Sequence, residues 1–277
     1  MPHRTQPIGS TDGVLDLVRV GRRLHLDDHD PGETFGWHKG PAKAALAAEV
    51  ARLAELQTLL FAERTRSVLV VLQAMDAGGK DGVLREVLTG LNPAGVRVTS
   101  FGVPSDEELS HDFLWRVHRH TPAAGEIGVF NRSHYEDVLV VRVKKLAPTA
   151  VWRRRYAHIR QFEQLLVDEG TTIVKLFLNV SAEEQRKRFQ DRIDSPDERW
   201  KFRVGDLDDR KLRPAYLKAY RDALVRTSVP HAPWYVIPAD RKWVRNLTVA
   251  RILRHTIERL DPRYPKPEPG IEGLIVT

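Results

Sequence analysis

A run of apolar residues ends in a glycine turn closed by a lysine. The stretch Ser67-VLVVLQAM-Asp76-Ala77-Gly78-Gly79-Lys80-Asp81-Gly82 leads into VLREVLTGLN. Val68 to Leu72 reads as a buried parallel strand, and Val83, Val87, Leu88 and Leu91 fall at helical spacing. A strand that enters a helix through a Gly-rich turn with a terminal Lys has the layout of a phosphate-binding loop. Glycines let backbone N–H groups turn inward on a phosphate, the helix N-terminus adds partial positive charge, and the lysine adds a full one. An ordinary strand-to-helix turn is the plainer reading of Gly-Gly-Lys alone. The strand before it and the helix after it favour phosphate.

The loop departs from the common G-x-x-x-x-G-K-[ST] form. Ala74 stands where the first Gly belongs, and Asp81 stands where a hydroxyl would ligate magnesium. Asp81 suits the helix dipole but offers no hydroxyl. Another acid must therefore hold the metal, and Asp76 within the loop is the first candidate. A carboxylate beside a phosphate is repulsive unless a cation intervenes, so its presence argues for magnesium.

At 277 residues the chain can bury a sizeable core. It has no cysteine, which excludes disulfides and thiolate metal sites. It shows no apolar run near about 18 residues and no signal-peptide pattern, so the expectation is a soluble cytoplasmic protein. The formal charge of +7 suits a polyanionic partner, whether nucleic acid, polyphosphate or an acidic membrane surface. Charge alone does not choose among them.

Along the chain, residues 1–40 carry no long period and read as an extended arm. A helix follows with Leu46, Val50, Leu53, Leu56 and Leu60 on one face. Strands are expected over 67–75, 96–101, 127–130, 172–180 and 234–237. Helices are expected over 80–91, 149–169 and 241–260, and after the capping boxes at Ser105 (to about 119) and Ser181. This alternation predicts a parallel sheet with helices on both faces. The interval 186–226 interrupts it with a run of cations, among them Arg186, Arg188, Arg192 and Lys201. Ser195-Pro196-Asp197-Glu198 reads as a further capping box, and the segment as two inserted helices forming a lid over phosphates. A solvated basic helix pair, neutralised by Asp194, Asp206, Asp208 and Asp209, is the alternative.

Ligands of open α/β sheets sit at the carboxyl ends of the strands. The third strand ends at Phe130, which brings Asn131, Arg132, Ser133, His134, Tyr135, Glu136 and Asp137 to that edge. Arg132 can then reach a phosphate, and Glu136 or Asp137 a magnesium. Helix-start charge is an equally good account of Glu136 and Asp137 taken alone. The histidines, His111, His118, His120 and His134, make no convincing metal set. Trp115, Trp152, Trp200 and Trp243 read as packing residues.

With these residues placed, the chain resembles polyphosphate kinase family 2, enzymes that move phosphate between inorganic polyphosphate and nucleotides. The matching segments are LQAMDAGGKDG at 72–82, SFGVPSDEELSHDFLWRVHRHTPAAGEIGVFNRSHYEDVLVVRV at 100–143, FLNVSAEEQRKRF at 177–189, DERWKF at 197–202 and IPADRKWVRNLTVARIL at 237–253. The resemblance implies an α/β fold of the P-loop kinase-like three-layer α/β/α kind, with a central parallel sheet and a helical lid insertion. An N-terminal arm over 1–40 would precede a catalytic domain over 41–277, with its lid at about 186–226.

The resemblance also implies magnesium, with manganese as the alternative, and a homo-oligomer, either dimer or tetramer. The expected partners are inorganic polyphosphate and nucleotides (AMP and ADP, with GMP and GDP open), not nucleic acid or membrane. Asp76, Lys80 and Arg132 fall on the catalytic positions. Ala77, Gly78, Gly79, Lys80, Asp81 and Gly82 would cradle phosphate, helped by Arg186, Arg188, Arg192 and Lys201. Asn131, Arg132, Ser133, Tyr135 and Glu136 would form the nucleotide-facing second motif, and Asp76, Glu136 and Asp137 the metal set. The NRSHYEDVLVVRV form looks like the branch that accepts both mono- and diphosphates, for which Glu136 is the acid to watch. One departure is Arg213-Pro214, where the family pattern has Trp-Asp. Two rivals stand beside this expectation. One is an ATP-dependent kinase on the same core. The other is a non-catalytic polyanion binder, which gains nothing from an acid in the loop.

Overall fold

Ser67–Ala74 form β1, and every residue of it is buried. A strand this buried is covered on both faces of its sheet. With β2 (Val96–Ser100), β3 (Ile127–Asn131), β4 (Thr171–Asn179) and β5 (Trp234–Pro238) it makes one sheet of order β2-β3-β1-β4-β5. All four pairings are parallel. Leu72 of β1 lies opposite Asn131 of β3, so the carboxyl ends of these two strands finish side by side. The computed structural model describes residues 11–21 and 23–276 of the chain.

The helices are α1 (Thr11–Val18), α2 (Lys39–Glu63), α3 (Lys80–Val87), α4 (Asp106–Ser110), α5 (Trp115–His118), α6 (Val140–Val143), α7 (Thr149–Asp168), α8 (Ala182–Asp194), α9 (Gly205–Lys211), α10 (Arg213–Thr227) and α11 (Lys242–Glu258). Side chains of a strand alternate between faces, and β1 divides its core accordingly. Val68, Val70 and Leu72 pack with α1, α2, α3 and α11. Leu69 and Val71 pack on the other face with α7 and α10. The result is the three-layer α/β/α architecture with a central parallel sheet. The apolar face of α2 buries Leu53, Leu56 and Leu60, and Arg64 ends that helix in the left-handed region at φ 53°.

Three local expectations differ from what is found. Within 1–40, residues 11–18 are helical, and Val14 and Val18 are buried in the core. The rest of the arm touches the domain through an Arg19–Tyr235 bridge and a turn at Leu26–Asp28. Its residues 1–10 and 22 lie outside the described residues. The helix expected from Ser105 to about 119 splits into α4 and α5. The Ser105–Glu108 capping box does form, but Asp112 then takes the amide of Leu114 on its side chain at 2.9 Å and starts a new turn. At Ser195 no long helix begins. That residue is the C-cap of α8, its amide bonded to the Asp191 carbonyl, and only the turn Arg199–Lys201 follows. Its amide, which a capping box would give to the Glu198 side chain, is already held by Asp191. The inserted region is therefore the end of α8, a turn, α9 and α10.

Candidate active site

The loop between β1 and α3 is held from outside by side chains that take its carbonyls. Lys80 Nζ donates to the Ala74 carbonyl at 3.3 Å. Gln185 Nε2 donates to Asp76 O at 2.9 Å and Arg188 Nη1 to Ala77 O at 3.0 Å. With its carbonyls turned out, the loop begins α3 at Lys80, whose first-turn N–H groups have no acceptor within the helix. Ala77 takes φ 58° and Gly79 φ 98°. Such values are strained for alanine and natural for glycine.

The second wall comes from the end of β3. Arg132 also sits at positive φ, 62°, with its amide on the Leu72 carbonyl at 3.1 Å. That bond fixes it beside the end of β1. Its guanidinium donates to Asp76 Oδ1 at 3.1 Å, across from the loop. Asn131 Nδ2 reaches Asp81 Oδ1 at 3.4 Å, while Asn131 Oδ1 is buried with no partner. Glu136 follows on the turn His134–Val138. The Gln73 amide satisfies both neighbours in one orientation: it donates to Glu136 Oε1 at 3.0 Å and accepts from Ser133 Oγ at 3.1 Å. Tyr216 and Tyr220 of α10 adjoin Glu136 and Asp76, and burial raises both phenols above their ordinary value.

Lys80, Arg132, Asp76 and Glu136 are close enough to alter one another's ionisation. Burial and then Arg132 lower the Lys80 ammonium, against the pull of the three carboxylates Asp76, Glu136 and Asp81. Burial raises the Glu136 carboxyl, against Arg132 and Lys80. Two carboxylates and two cations thus converge at the carboxyl edge of β1 and β3. Among the described residues no group of three acids or histidines forms a closed metal cage. Two carboxylates and an orphaned amide oxygen fit a hard divalent cation that takes its other oxygens from phosphates and water.

The other expected site residues fare differently. Asp137 stands apart from this set: its carboxylate accepts from Arg155 at 2.8 Å, and burial pushes it up to about 6 despite Arg155 and Arg116. Ser133 and Tyr135 are buried rather than nucleotide-facing. Tyr135 Oη donates to Glu163 Oε1 at 2.7 Å, and Lys175 of β4 bonds Glu163 Oε2 at 2.5 Å and Tyr135 Oη at 3.0 Å. This buried knot ties the Glu136 turn to α7 and β4. Its Lys175–Glu163 pair is the kind whose loss of one partner costs about 3–5 kcal/mol. Arg188, expected as a lid cation, is only 8 % exposed. Besides Ala77 it bonds Glu184 at 2.9 Å and the Ala239 carbonyl at 2.5 Å, so it braces the loop. Arg186 pairs with Glu183 at 2.7 Å on the exposed face of α8. Arg192 lies over the Phe189 ring, and Lys201 pairs with Glu198 at 3.0 Å.

A sequence profile of polyphosphate kinase 2 matches residues 37–265. The chain belongs to the polyphosphate kinase 2 family. Among its family relatives, the AMP/ADP-polyphosphate phosphotransferase of Meiothermus ruber is 56% identical over 261 residues, covering 94% of this chain and 98% of that one. The ADP-polyphosphate phosphotransferase of Rhodopseudomonas palustris is 48% identical over 237 residues, with 81% and 82% covered. The crystal structure of polyphosphate kinase 2 from Arthrobacter aurescens TC1 superposes with a TM-score of 0.91 at 44% identity, covering 95% of each chain.

Within this polyphosphate kinase 2 chain, sequence reasoning passed over several residues that build the site. Gln73 orients Glu136, and Gln185 joins the loop to Arg213, which the sequence marks as a departure without revealing its bonds. Arg213 Nη2 donates to Val180 O at 2.6 Å and Nη1 to Gln185 Oε1 at 3.1 Å, and Pro214 sits in the first turn of α10 where proline is favoured. Arg245 lies against the loop from α11: a Cβ on Gly79 would meet its Nη1 at 1.8 Å. For Arg188 a signal existed. Counted from Gln185, Arg188 stands at i+3 and Phe189 at i+4, one helix face, and all three are buried.

Proposed function

We propose that this protein transfers phosphate between inorganic polyphosphate and nucleotides, taking both AMP and ADP as acceptors. The observation that carries the reading is the convergence of Asp76, Lys80, Arg132 and Glu136 between the phosphate loop and the end of β3. Membership in the polyphosphate kinase 2 family supports the donor. The name of the Meiothermus ruber relative supports the double acceptor range.

Phosphoryl transfer needs alignment and neutralised oxygen charge more than covalent help from the protein. The terminal P–O–P bond of the polyphosphate breaks, a P–O bond to an oxygen of the nucleotide's last phosphate forms, and the shortened chain keeps the leaving oxygen. Lys80 and the first-turn N–H groups of α3 hold the donor end. Arg132 faces the transferring group from the opposite wall, where its present partner is Asp76. No general base is required, because the acceptor oxygen is already ionised. Asp76 and Glu136 are the residues that would hold a divalent cation, for which we take magnesium. When bound, such an ion would supply positive charge that offsets the charge of the phosphate oxygens. Assembly as a homo-oligomer belongs to the same proposal, and light scattering on the purified protein tests it.

The test supplies polyphosphate and magnesium with AMP or ADP separately, after adenylate kinase contamination has been excluded. Formation of ADP from AMP and of ATP from ADP is expected. Conversion of only one acceptor would end the double-acceptor reading. Glu136→Ala should slow the two steps unequally, since the acceptor is one phosphate shorter in the first. Equal slowing would make Glu136 a general or structural residue.

A further inference from the structure

Behind the loop lies a buried cation that forms no ion pair among the described residues. Arg245 is in the first turn of α11, its side chain 2 % exposed. The guanidinium lies against the loop. A Cβ on Gly79 would sit 1.8 Å from Nη1, and one on Gly82 2.6 Å from Nη2, so the guanidinium occupies the space that a side chain at either position would need. Nε and Nη2 both donate to the neutral Asn246 Oδ1, at 3.0 and 2.8 Å. Nη1 has no acceptor among the described residues, and Arg245 forms no ion pair among them.

The neighbourhood adds charge of the same sign. Arg188 Nη1 would be 3.5 Å from that same Gly79 Cβ, so two guanidiniums flank one glycine. Arg188 is compensated by Glu184 at 2.9 Å and by loop carbonyls. Arg245 is not. Burial and then Arg188 push it down to about 10, with Glu86 opposing and Arg85 reinforcing. A buried, unpaired cation destabilises a protein that gains nothing from it. Met, Leu or a neutral amide would fill this space at less cost.

We propose that Arg245 is a positioning residue for the donor: its guanidinium acts through Gly79 and Gly82 as the fixed counter-charge of a phosphate seated in the loop. The proposal rests on the polyphosphate reading above. The loop and α11 would then be one anion-binding unit, although they are separated by most of the chain. The charge is silent toward nucleotide chemistry at Glu136 and selective for whatever phosphate occupies the loop.

Asn246→Asp is the informative variant, because it neutralises the guanidinium without removing its packing. A purely structural arginine would be as well or better served by an aspartate acceptor. Binding of tripolyphosphate is measured by calorimetry for wild type, Asn246→Asp and Arg245→Met at two salt concentrations, alongside thermal melts of the free proteins. The expected result is affinity about tenfold weaker in Asn246→Asp, the order for one partly screened charge facing an anion, with a flatter salt dependence. The free Asn246→Asp protein should melt no lower than wild type. Arg245→Met, where folded, should weaken binding by a similar factor. Unchanged affinity in Asn246→Asp would overturn the proposal and leave Arg245 a structural pin. Absence of tripolyphosphate binding in wild type would instead overturn the polyphosphate reading and this one with it.

Discussion

Lys80 and Asp76 oppose each other in charge yet share one loop, and neither belongs to the apolar core. On the proposed function, replacing Lys80 by Ala removes a charge that faces the transferring group, and replacing Asp76 by Asn weakens the hold on a cation and the bond to Arg132. Turnover should fall by about 10³-fold or more in each, with the melting transition retained. Near wild-type turnover in either folded variant would move the site elsewhere. His134 makes a different prediction. It is fully buried beside Glu163 at 3.4 Å, its Nδ1 has no partner, and burial lowers it from 6.5 despite the pull of Glu163. Below about pH 6.5 the unfolded chain therefore binds a proton that the native protein refuses, and stability must decline as pH falls. His134→Gln keeps a donor for Glu163 and cannot titrate. Its melting temperature should decline less between about pH 6.5 and 5 than that of wild type. Parallel declines would place the acid sensitivity in other groups.

At the scale of elements, the loop, the strand beside it and the parallel sheet are legible from the chain because each rests on a continuous local pattern. Val68 to Leu72 is an unbroken apolar run, and Gly-Gly-Lys follows within a few residues. The lid is less legible. Arg186, Arg188 and Arg192 look alike in one dimension, yet the docking of α8 turns Arg188 onto the loop and leaves Arg186 in solvent. Ser195 satisfied a helix-start pattern, but α8 reached it first and used its amide. Arg245 lies hidden for another reason. Its place depends on α11 packing across α3, a contact between segments far apart in sequence. If this segment acts as the proposed lid, its cations divide between two tasks. Arg192→Ala with Lys201→Ala should raise the polyphosphate KM and flatten its salt dependence, with less change for nucleotide. Arg188→Ala should instead lower kcat for every substrate, because Ala77 and Ala239 lose their donor. Initial rates against each substrate at two ionic strengths separate these outcomes; equal KM losses for both substrates in the double variant would sink the division.

For the whole molecule, the helical layer of α2 and α11 supports the sheet from the face that carries α3. Leu60 is wholly buried there, remote from the loop. Leu60→Ala should cost about 2–5 kcal/mol in denaturant unfolding and leave both KM values in place. A shifted KM would mean that the layer transmits strain to the site. No helix among the described residues is long and apolar enough to cross a membrane. The position of β1 at the centre of a wholly parallel sheet has a consequence during synthesis. Ser67 emerges early, but its partner Thr171 on β4 is translated much later. At about 5–20 residues per second, the most apolar strand of the protein waits roughly 5–20 s with an open edge on the ribosome. The phosphate loop, whose carbonyls are held by Gln185 and Arg188, cannot take this shape until more than half of the protein has been made.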